Sequence, residues 1–275
     1  AARQTKKPQP PPAKICDAPN EPKIEGTLED IGPIELRWVE SKEDRERWKT
    51  YLKKYHYLGY RHAVGPHLGY VIHCKALNRD LGCFLFSGSP ALALAPRDQW
   101  IGWQQKHRVK LLHLIVNQSR FLIFPWVEVP NLASHALSLA TQRISDDWLR
   151  FFAYRPVLLE TFVDTTRYAG TCYQAANWCH IGQTQGRQRG TFGGNREFQE
   201  NVKDIYMVPL AADFRHRLTN GIEVSAQKKR YRSDVRLSHS RTVGDGFVKL
   251  WEKVARIVRD AAAEYDEKWI LRKRL

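Results

Sequence analysis

The chain has few cysteines, a single methionine and no long apolar run. Its five cysteines are an odd number and form no C-x-x-C pair, so the sequence favours neither a disulfide framework nor a zinc site. No apolar run approaches the roughly 18 residues that a membrane-spanning helix requires, and the first residues lack the charged-then-apolar pattern of a signal peptide. We therefore expect a cytoplasmic protein with no bound metal ion and no membrane partner.

Acidic residues are also scarce relative to basic ones. The chain of 275 residues has 44 Lys and Arg against 29 Asp and Glu, a formal net charge of +15 and a pI near 9.7. Such an excess of positive charge suits a polyanionic partner, and we expect nucleic acid, with DNA favoured over RNA. Hydrophobic residues at 43% are enough for a packed core, which argues against a disordered chain.

Composition divides the chain into four segments. Residues 1–33 include "KKPQPPPAK" and predict a flexible, basic, proline-rich arm with an extended backbone. Residues 34–218 carry regularly spaced apolar residues and predict the core domain. Residues 219–246 predict a basic linker, and residues 247–275 predict an amphipathic basic helix appended to the core.

The core sequence predicts helices alternating with mainly antiparallel strands. Asn78 suits the tight turn of a hairpin, and two further strands are predicted on either side of "NQSR" at 117–120. Ser41 and Asn131 are N-cap candidates for two long helices. A strand ending at Asp164, a short helix and a final strand complete the core. This order indicates an α/β or α+β fold with one mainly antiparallel, mixed sheet flanked by helices.

Six motifs occur in order between residues 40 and 215. They are "YHYLGY", "RDQWIGW", "RFLIFPWVEVPNLASHALS", "LLETFVD", "GTCYQAANWCHIGQTQGR" and "DIYMVPL". In this order they resemble the Druantia DruA-like family, which is found in anti-phage defence loci and beside or fused to transposases. The resemblance implies a DNA-associated component of a defence system or mobile element, with other defence-system or transposase subunits as partners.

The order of strand, long helix, strand and small-residue helix also resembles the GCN5-related N-acetyltransferases (GNAT). The resemblance implies a GNAT-like core and, as an alternative function, an acyl or aminoacyl transferase that modifies a macromolecule. Such enzymes hold the cofactor pyrophosphate on backbone amides of a glycine-containing turn, whereas "VPNLAS" at 129–134 contains no glycine. We therefore predict no cofactor, and a non-catalytic scaffold in a multi-protein complex is the third alternative.

Two carboxylates, Glu160 and Asp164, lie on one predicted strand and point to the same face. At about 3.3 Å per residue they are roughly 13 Å apart, too far for a shared metal ion or a carboxylate pair. Either Glu160 pairs with an arginine and Asp164 caps the following turn, or Glu160 is a buried general base with a raised pKa. The transferase alternative has four candidate catalytic residues, Glu160, Asp164, Tyr173 and Asn177. The motif "YHYLGY" at 55–60 is expected to line the same cleft.

Two basic segments are predicted to bind nucleic acid. Residues 182–196 combine glycines, which allow close approach of the backbone, with guanidinium groups suited to phosphate, and they do not match a Walker A loop. Residues 228–236 place cations beside an aromatic ring that can stack on a base. Each segment is alternatively a solvated loop or linker. The predicted contact residues are Arg187, Arg189, Arg196, Lys228, Lys229, Arg230, Tyr231, Arg232 and Arg236.

Overall fold

The computed structural model describes residues 21–63, 65–185 and 202–220. These residues belong to the first of the two units into which the chain divides, which ends at Ile222. Their helices are α1 Leu28–Ile31, α2 Lys42–Tyr55, α3 Ala95–Ile101, α4 Gln105–Leu111, α5 Leu132–Phe152, α6 Thr171–Ala175 and α7 Phe214–Asn220. Their strands are β1 Ile24–Glu25, β2 Ile34–Trp38, β3 His67–Cys74, β4 Arg79–Ser87, β5 Ile115–Ile123, β6 Val127–Glu128, β7 Leu158–Asp164, β8 Cys179–Gln183 and β9 Lys203–Pro209.

Seven strands form one sheet in the order β2, β3, β4, β5, β7, β9, β8. All neighbouring strands are antiparallel except β5 and β7, which are parallel. The parallel pairing joins only residues 115–117 to residues 158–160. The strands β1 and β6 form a separate parallel pair. The predicted fold, one mainly antiparallel mixed sheet flanked by helices, is confirmed, as is the order β5, α5, β7, α6 on which the GNAT resemblance depends.

The helix α2 begins where the sequence predicts. The hydroxyl oxygen of Ser41 accepts a hydrogen bond from the Asp44 N–H at 2.9 Å, which satisfies one of the free donors of the first turn. Trp48 and Leu52 form the buried face of the helix. The indole N–H of Trp48 donates to the carbonyl of Phe84 at 3.2 Å, so a hydrogen bond within the core joins α2 to β4.

The predicted hairpin and the predicted long helix are also confirmed. Asn78 has a φ of 49° between β3 and β4, in the left-handed region that asparagine tolerates in tight turns. The helix α5 follows Asn131 and buries residues such as Ala136 and Trp148. The side chain of Asn131 makes no capping hydrogen bond, so the N-cap residue was correctly placed but its capping role was not.

One strand, β5, replaces the two strands predicted on either side of 117–120. The segment before β5 forms α4 and a 3₁₀ turn, Leu112–Leu114. The polar run 117–120 stays extended because it pairs with β4, where the register shifts between Leu85 and Phe86. The prediction of two strands was wrong because turn-forming residues remain in a strand when their backbone groups bond to a neighbouring strand.

Residues 21–33 differ from the extended arm that composition predicts. They contain β1, which pairs with β6, and α1, which begins with a capping box. Ile24 and Ile31 are buried in the core, so apolar burial orders a segment whose composition is mainly polar. Residues 1–20 of the predicted arm lie outside the described residues, as do residues 221–275, which include the predicted C-terminal helix and nearly all of the predicted linker.

The two faces of β7 enter different hydrophobic clusters. Leu159 joins the larger cluster, which includes residues of α2 and α5 together with Tyr173. Leu158 joins the smaller cluster, which includes residues of α3 and α7. Because side chains alternate along a strand, Glu160 faces the smaller cluster and Thr161 faces the larger one.

Candidate functional site

Glu160 is buried in an ion pair. Its Oε2 accepts a hydrogen bond from Nη1 of Arg97 at 2.9 Å, and its Oε1 accepts one from the Ala91 N–H at 2.8 Å. The side chains of Glu160 and Arg97 are both 0% exposed. Arg97 also donates to the Ala91 carbonyl and to Asp98. The structure therefore places an arginine beside Glu160, as the first of the two sequence alternatives predicts.

The environment of Glu160 suits a structural role better than proton transfer. Burial raises its pKa, while the positive charge of Arg97 and the hydrogen bond from Ala91 oppose that rise. A general base must lie within hydrogen-bond reach of its substrate, yet both oxygens of Glu160 contact protein donors and the side chain has no exposed surface. This geometry favours an ion pair that holds α3 against β7.

Asp164 ends β7 and organises the turn that follows. Its Oδ1 accepts hydrogen bonds from the N–H of Thr166 at 3.0 Å and from the Thr166 hydroxyl at 2.6 Å, the pattern of an Asx turn. Its Oδ2 lies 3.7 Å from Nε of Arg167. The structure thus shows the turn-capping role that the sequence offered as one alternative for Asp164.

An aromatic and cationic cluster lies at this end of β7. The ring of Tyr57 lies 5.6 Å from the ring of Tyr168, and the guanidinium of Arg167 lies 5.3 Å from the ring of Tyr57. The imidazole of His56 stacks on Tyr57 at 4.9 Å. We call these four residues the Tyr57 cluster. It joins the predicted motif at 55–60 to the turn after β7, and Tyr168 within it is 53% exposed.

The charge of the Tyr57 cluster comes from its arginine. Burial lowers the pKa of His56 to about 3, with a smaller contribution from Arg120, and burial raises the pKa of Tyr57 to about 12. His56 is therefore neutral at neutral pH and Tyr57 keeps its proton. Nδ1 of His56 lies 3.1 Å from the Leu58 N–H and accepts its hydrogen bond, as a neutral imidazole can. The cluster thus presents uncharged rings beside one guanidinium.

Tyr173 lies on the face of β7 opposite to Glu160. Its hydroxyl donates to Oε1 of Gln118 at 2.8 Å, and the hydroxyl of Thr161 donates to the Gln118 carbonyl at 3.0 Å. Burial raises the pKa of Tyr173. Nε2 of Gln118 is buried and has no hydrogen-bond partner in the described part of the chain. The sheet itself separates this polar group from Glu160.

Asn177 lies in an exposed turn after α6. Its φ is 61°, and its N–H donates to the Gln174 carbonyl at 3.0 Å. The same helix is preceded by Gly170, where a Cβ would lie 2.5 Å from the hydroxyl oxygen of Tyr206, so close packing requires glycine there. The four predicted catalytic residues therefore occupy four environments: a buried pair, a capped turn, the opposite sheet face and an exposed turn.

Asn131 begins α5 through its backbone carbonyl. The carbonyl of Asn131 accepts from the Ser134 hydroxyl at 3.0 Å and from the His135 N–H at 2.9 Å. Asn131 has a φ of 61° and supplies the left-handed backbone that glycine often provides. The absence of a bound cofactor stays a prediction that rests on the glycine-free sequence.

The nine predicted nucleic-acid contacts, from Arg187 to Arg236, lie outside the described residues. The described residues hold 23 Lys and Arg against 18 Asp and Glu, and the rest of the chain holds 21 against 11. Ten of the fifteen net positive charges therefore belong to segments other than the described core. Most of the net positive charge from which a polyanionic partner is predicted therefore lies in those segments.

The described residues show no metal site and no membrane helix. No group of three His, Cys, Asp or Glu side chains within 21–63, 65–185 and 202–220 is placed to hold a metal ion. No helix in the same ranges is both long enough and apolar enough to cross a bilayer. The thiols of Cys74, Cys83, Cys172 and Cys179 are free.

Comparisons with known proteins give one family match and a set of architectural likenesses. Residues 3–195 match the model of the family described as Druantia protein DruA. A search of curated protein sequences found no match. The ribosomal-protein-S5-alanine acetyltransferase of Vibrio fischeri is 8% identical, with 70% of this chain and 98% of that chain covered and a TM-score of 0.40. The spermidine/spermine N-acetyltransferase of Vibrio cholerae is 10% identical, with 67% and 96% covered and a TM-score of 0.37. At these values neither likeness carries an argument about substrate or activity.

Proposed function

Since this chain belongs to the Druantia DruA family, we propose that it is a cytoplasmic, DNA-associated component of an anti-phage defence system or mobile element, which works beside other subunits of that system. The structural observation that carries the DNA-binding part is the Tyr57 cluster, in which Arg167 and Tyr168 are exposed and His56 and Tyr57 are half-buried. Its aromatic rings and guanidinium group are the side chains that single-stranded nucleic acid binds, because every base has a face that can stack.

Further guanidinium groups lie close to the Tyr57 cluster. Nε of Arg120 donates to the Gly59 carbonyl at 2.9 Å, and the pKa of Arg120 is lowered by burial and, to a smaller degree, by the positive charge of Arg61. Arg167 is 38% exposed over the Tyr57 ring. Cations beside exposed rings can neutralise phosphates while the rings stack on bases, which supports nucleic acid as the ligand of this surface.

Two basic segments supply most of the net positive charge that lies outside the described residues. Residues 187–196 contain three arginines, and residues 228–236 contain five cations around Tyr231, namely Lys228, Lys229, Arg230, Arg232 and Arg236. Sequence-independent phosphate contacts of this kind supply most of the affinity of non-specific DNA binders. We infer that these segments hold the backbone while the Tyr57 cluster contacts unpaired bases.

Replacing Tyr168 by Ala is expected to weaken binding of a mixed-sequence single-stranded oligonucleotide about tenfold, because one base–aromatic stack contributes about 1–3 kcal/mol. Fluorescence anisotropy with a labelled oligonucleotide measures the change. Phe151→Ala is the matched control, because Phe151 is a similarly exposed ring at 45% that packs against Trp38 outside the cluster. Equal losses in both variants, or no loss in Tyr168→Ala, would show that the cluster does not stack on bases.

An acyl or aminoacyl transferase is the second candidate function, and one observation favours it. The strands β5 and β7 stop pairing after Asn117 and Glu160, and the next residue of β5, Gln118, carries the unpartnered buried amide beside the Tyr173 hydroxyl. A buried donor without a partner is unusual and suits a ligand carbonyl. The glycine-free turn before α5 argues against the cofactor that this function needs.

We expect no measurable binding of acetyl-CoA, because the turn before α5 has no glycine to let a pyrophosphate approach the backbone amides closely. Isothermal titration calorimetry with acetyl-CoA tests this expectation. A micromolar dissociation constant would overturn it and move the transferase function to first place. In that event Gln118→Leu should weaken the binding, since it removes the unpartnered amide.

A further inference from the structure

A polar cavity lies beside the turn that joins β3 to β4. Its volume is about 310 Å³, at the lower end of the range of small-molecule sites. Three arginines line it, Arg37 from β2, Arg47 from α2 and Arg79 from β4, and we call it the arginine pocket. Because these arginines come from regular elements, their backbone positions are fixed by the fold.

One carboxylate orients the inner part of the arginine pocket. Oδ1 of Asp80 accepts a hydrogen bond from Nη2 of Arg37 at 2.6 Å and lies 2.9 Å from Nδ1 of His73. Its Oδ2 lies 3.8 Å from Nη2 of Arg47. The Asp80 side chain is only 11% exposed, so it holds Arg37 in one orientation.

The other two arginines are held by exposed ion pairs. Arg79 donates to Glu21 at 2.7 Å, and the Glu21 side chain is 48% exposed. Arg47 donates to Asp44 on its own helix at 2.8 Å, with exposures of 49% and 40%. Exposed pairs of this kind contribute about 0–1 kcal/mol. A stronger anion in the pocket can therefore replace Glu21 and Asp44 as the partner of these guanidinium groups.

The wall of the arginine pocket also contains donors without acceptors. Nε of Arg37 and Nε1 of Trp126 are buried and have no hydrogen-bond partner within residues 21–63, 65–185 and 202–220. Both residues line the cavity, and Trp126 is 7% exposed. Buried polar atoms are nearly always satisfied in folded proteins, so these two donors are compatible with acceptor oxygens from outside the chain; the described residues hold other such donors away from this cavity, at Gln118, Trp148 and Trp178.

We propose that the arginine pocket binds a phosphate monoester, whose oxygens accept hydrogen bonds from Arg37, Arg47 and Arg79. Guanidinium groups match phosphate in geometry as well as in charge. The cavity has room for more than the phosphate group, and Tyr51 and Trp126 give it two aromatic walls. The ligand is therefore a phosphate attached to a larger group, either a free mononucleotide or the 5′ end of a nucleic acid. This site is separate from the Tyr57 cluster, and the inference does not rest on the proposed function.

The experiment compares two arginine variants of the full chain by calorimetry with AMP and with inorganic phosphate as probes. Arg47→Ala should weaken AMP binding about tenfold, because a charge-assisted hydrogen bond to phosphate is lost. Arg155→Ala is the matched control: Arg155 is 48% exposed, pairs with Asp146 and lies outside the pocket. Glu21→Gln should tighten AMP binding a few-fold, since a competing carboxylate is removed, and no merely structural role predicts that gain.

Two further probes identify the source of the phosphate. If the ligand is a nucleic-acid end, a 5′-phosphorylated oligonucleotide binds the wild-type chain more tightly than its 5′-hydroxyl counterpart, and Arg47→Ala removes the difference. If the ligand is a free nucleotide, AMP binds and oligonucleotide phosphorylation has no effect. Absence of AMP binding and of any phosphorylation effect in the wild-type chain, or equal losses in Arg47→Ala and Arg155→Ala, would overturn the proposal.

Discussion

Binding of this protein to duplex DNA is expected to weaken steeply as salt is added, and the quadruple substitution of Lys228, Lys229, Arg230 and Arg232 by Ala is expected to reduce that dependence. Each cation that neutralises a phosphate releases counterions, so log K falls with log salt by about 0.9 per contacted phosphate. Loss of four contacts therefore reduces the slope by up to about 3.6, which corresponds to about 150-fold in affinity between 50 and 200 mM salt.

Gel-shift titrations at several salt concentrations measure this slope for both proteins. Because phosphate contacts carry no sequence information, the reduction should be the same for DNA of different sequences. Replacing Arg187 and Arg189 should reduce the slope by about 1.8 at most, since only two cations are lost. A matched control replaces Lys42, Lys49, Lys53 and Lys75, four cations of the described core, by Ala. An unchanged slope in the first variant would favour a solvated linker and the scaffold function.

Replacement of Arg97 by Met is expected to lower the free energy of unfolding by about 3–5 kcal/mol, because it leaves the buried carboxylate of Glu160 without its cation. Glu160→Gln should lower it less, since Arg97 keeps its hydrogen bonds to Asp98 and to the Ala91 carbonyl. Urea denaturation measures both changes. Wild-type stability of Glu160→Gln combined with lost biological activity would instead support a catalytic role.

The pH dependence of Arg97→Met gives an independent test. Burial raises the pKa of Glu160, and without Arg97 only the hydrogen bond from the Ala91 N–H still opposes that rise. A folded-state pKa above the unfolded value means that stability is greatest at low pH and is lost as pH rises through the folded pKa. The difference in free energy of unfolding between wild type and Arg97→Met should therefore shrink as pH falls toward 4.5. The double variant Arg97→Met, Glu160→Gln should recover part of the lost stability at neutral pH.

Local signals in the sequence predicted the elements that local chemistry determines. Ser41 and the acidic residues after it identified the start of α2, and Asn78 identified the turn of the β3–β4 hairpin. The run 117–120 misled the prediction because its extended form depends on pairing with β4, a contact between residues about 30 positions apart. The regular structure of residues 21–33 likewise depends on pairing with β6, which lies about 100 residues later.

The candidate site was predictable only in part for the same reason. The sequence offered an arginine partner for Glu160, but only the fold shows that Arg97, 63 residues earlier, supplies it. The alternation of strand residues correctly separates Glu160 from Thr161, yet it says nothing of Tyr173, whose position depends on the packing of α6. No sequence signal indicated the arginine pocket, because its three arginines come from separate elements with unremarkable spacing.

The short parallel pairing between β5 and β7 joins two parts of the sheet, β2 to β5 and β7 to β9. These parts differ in how far apart in the chain their paired strands lie. The strands from β2 to β5 are joined mainly by contacts between successive antiparallel neighbours, so they can assemble with little loss of chain entropy. Pairing of β7 with β5 closes the stretch of chain that contains α5, and it joins only three residue pairs. During synthesis the strands β2 to β5 leave the ribosome before β7, so the Arg97–Glu160 ion pair forms only after β7 has emerged and then joins α3 to β7.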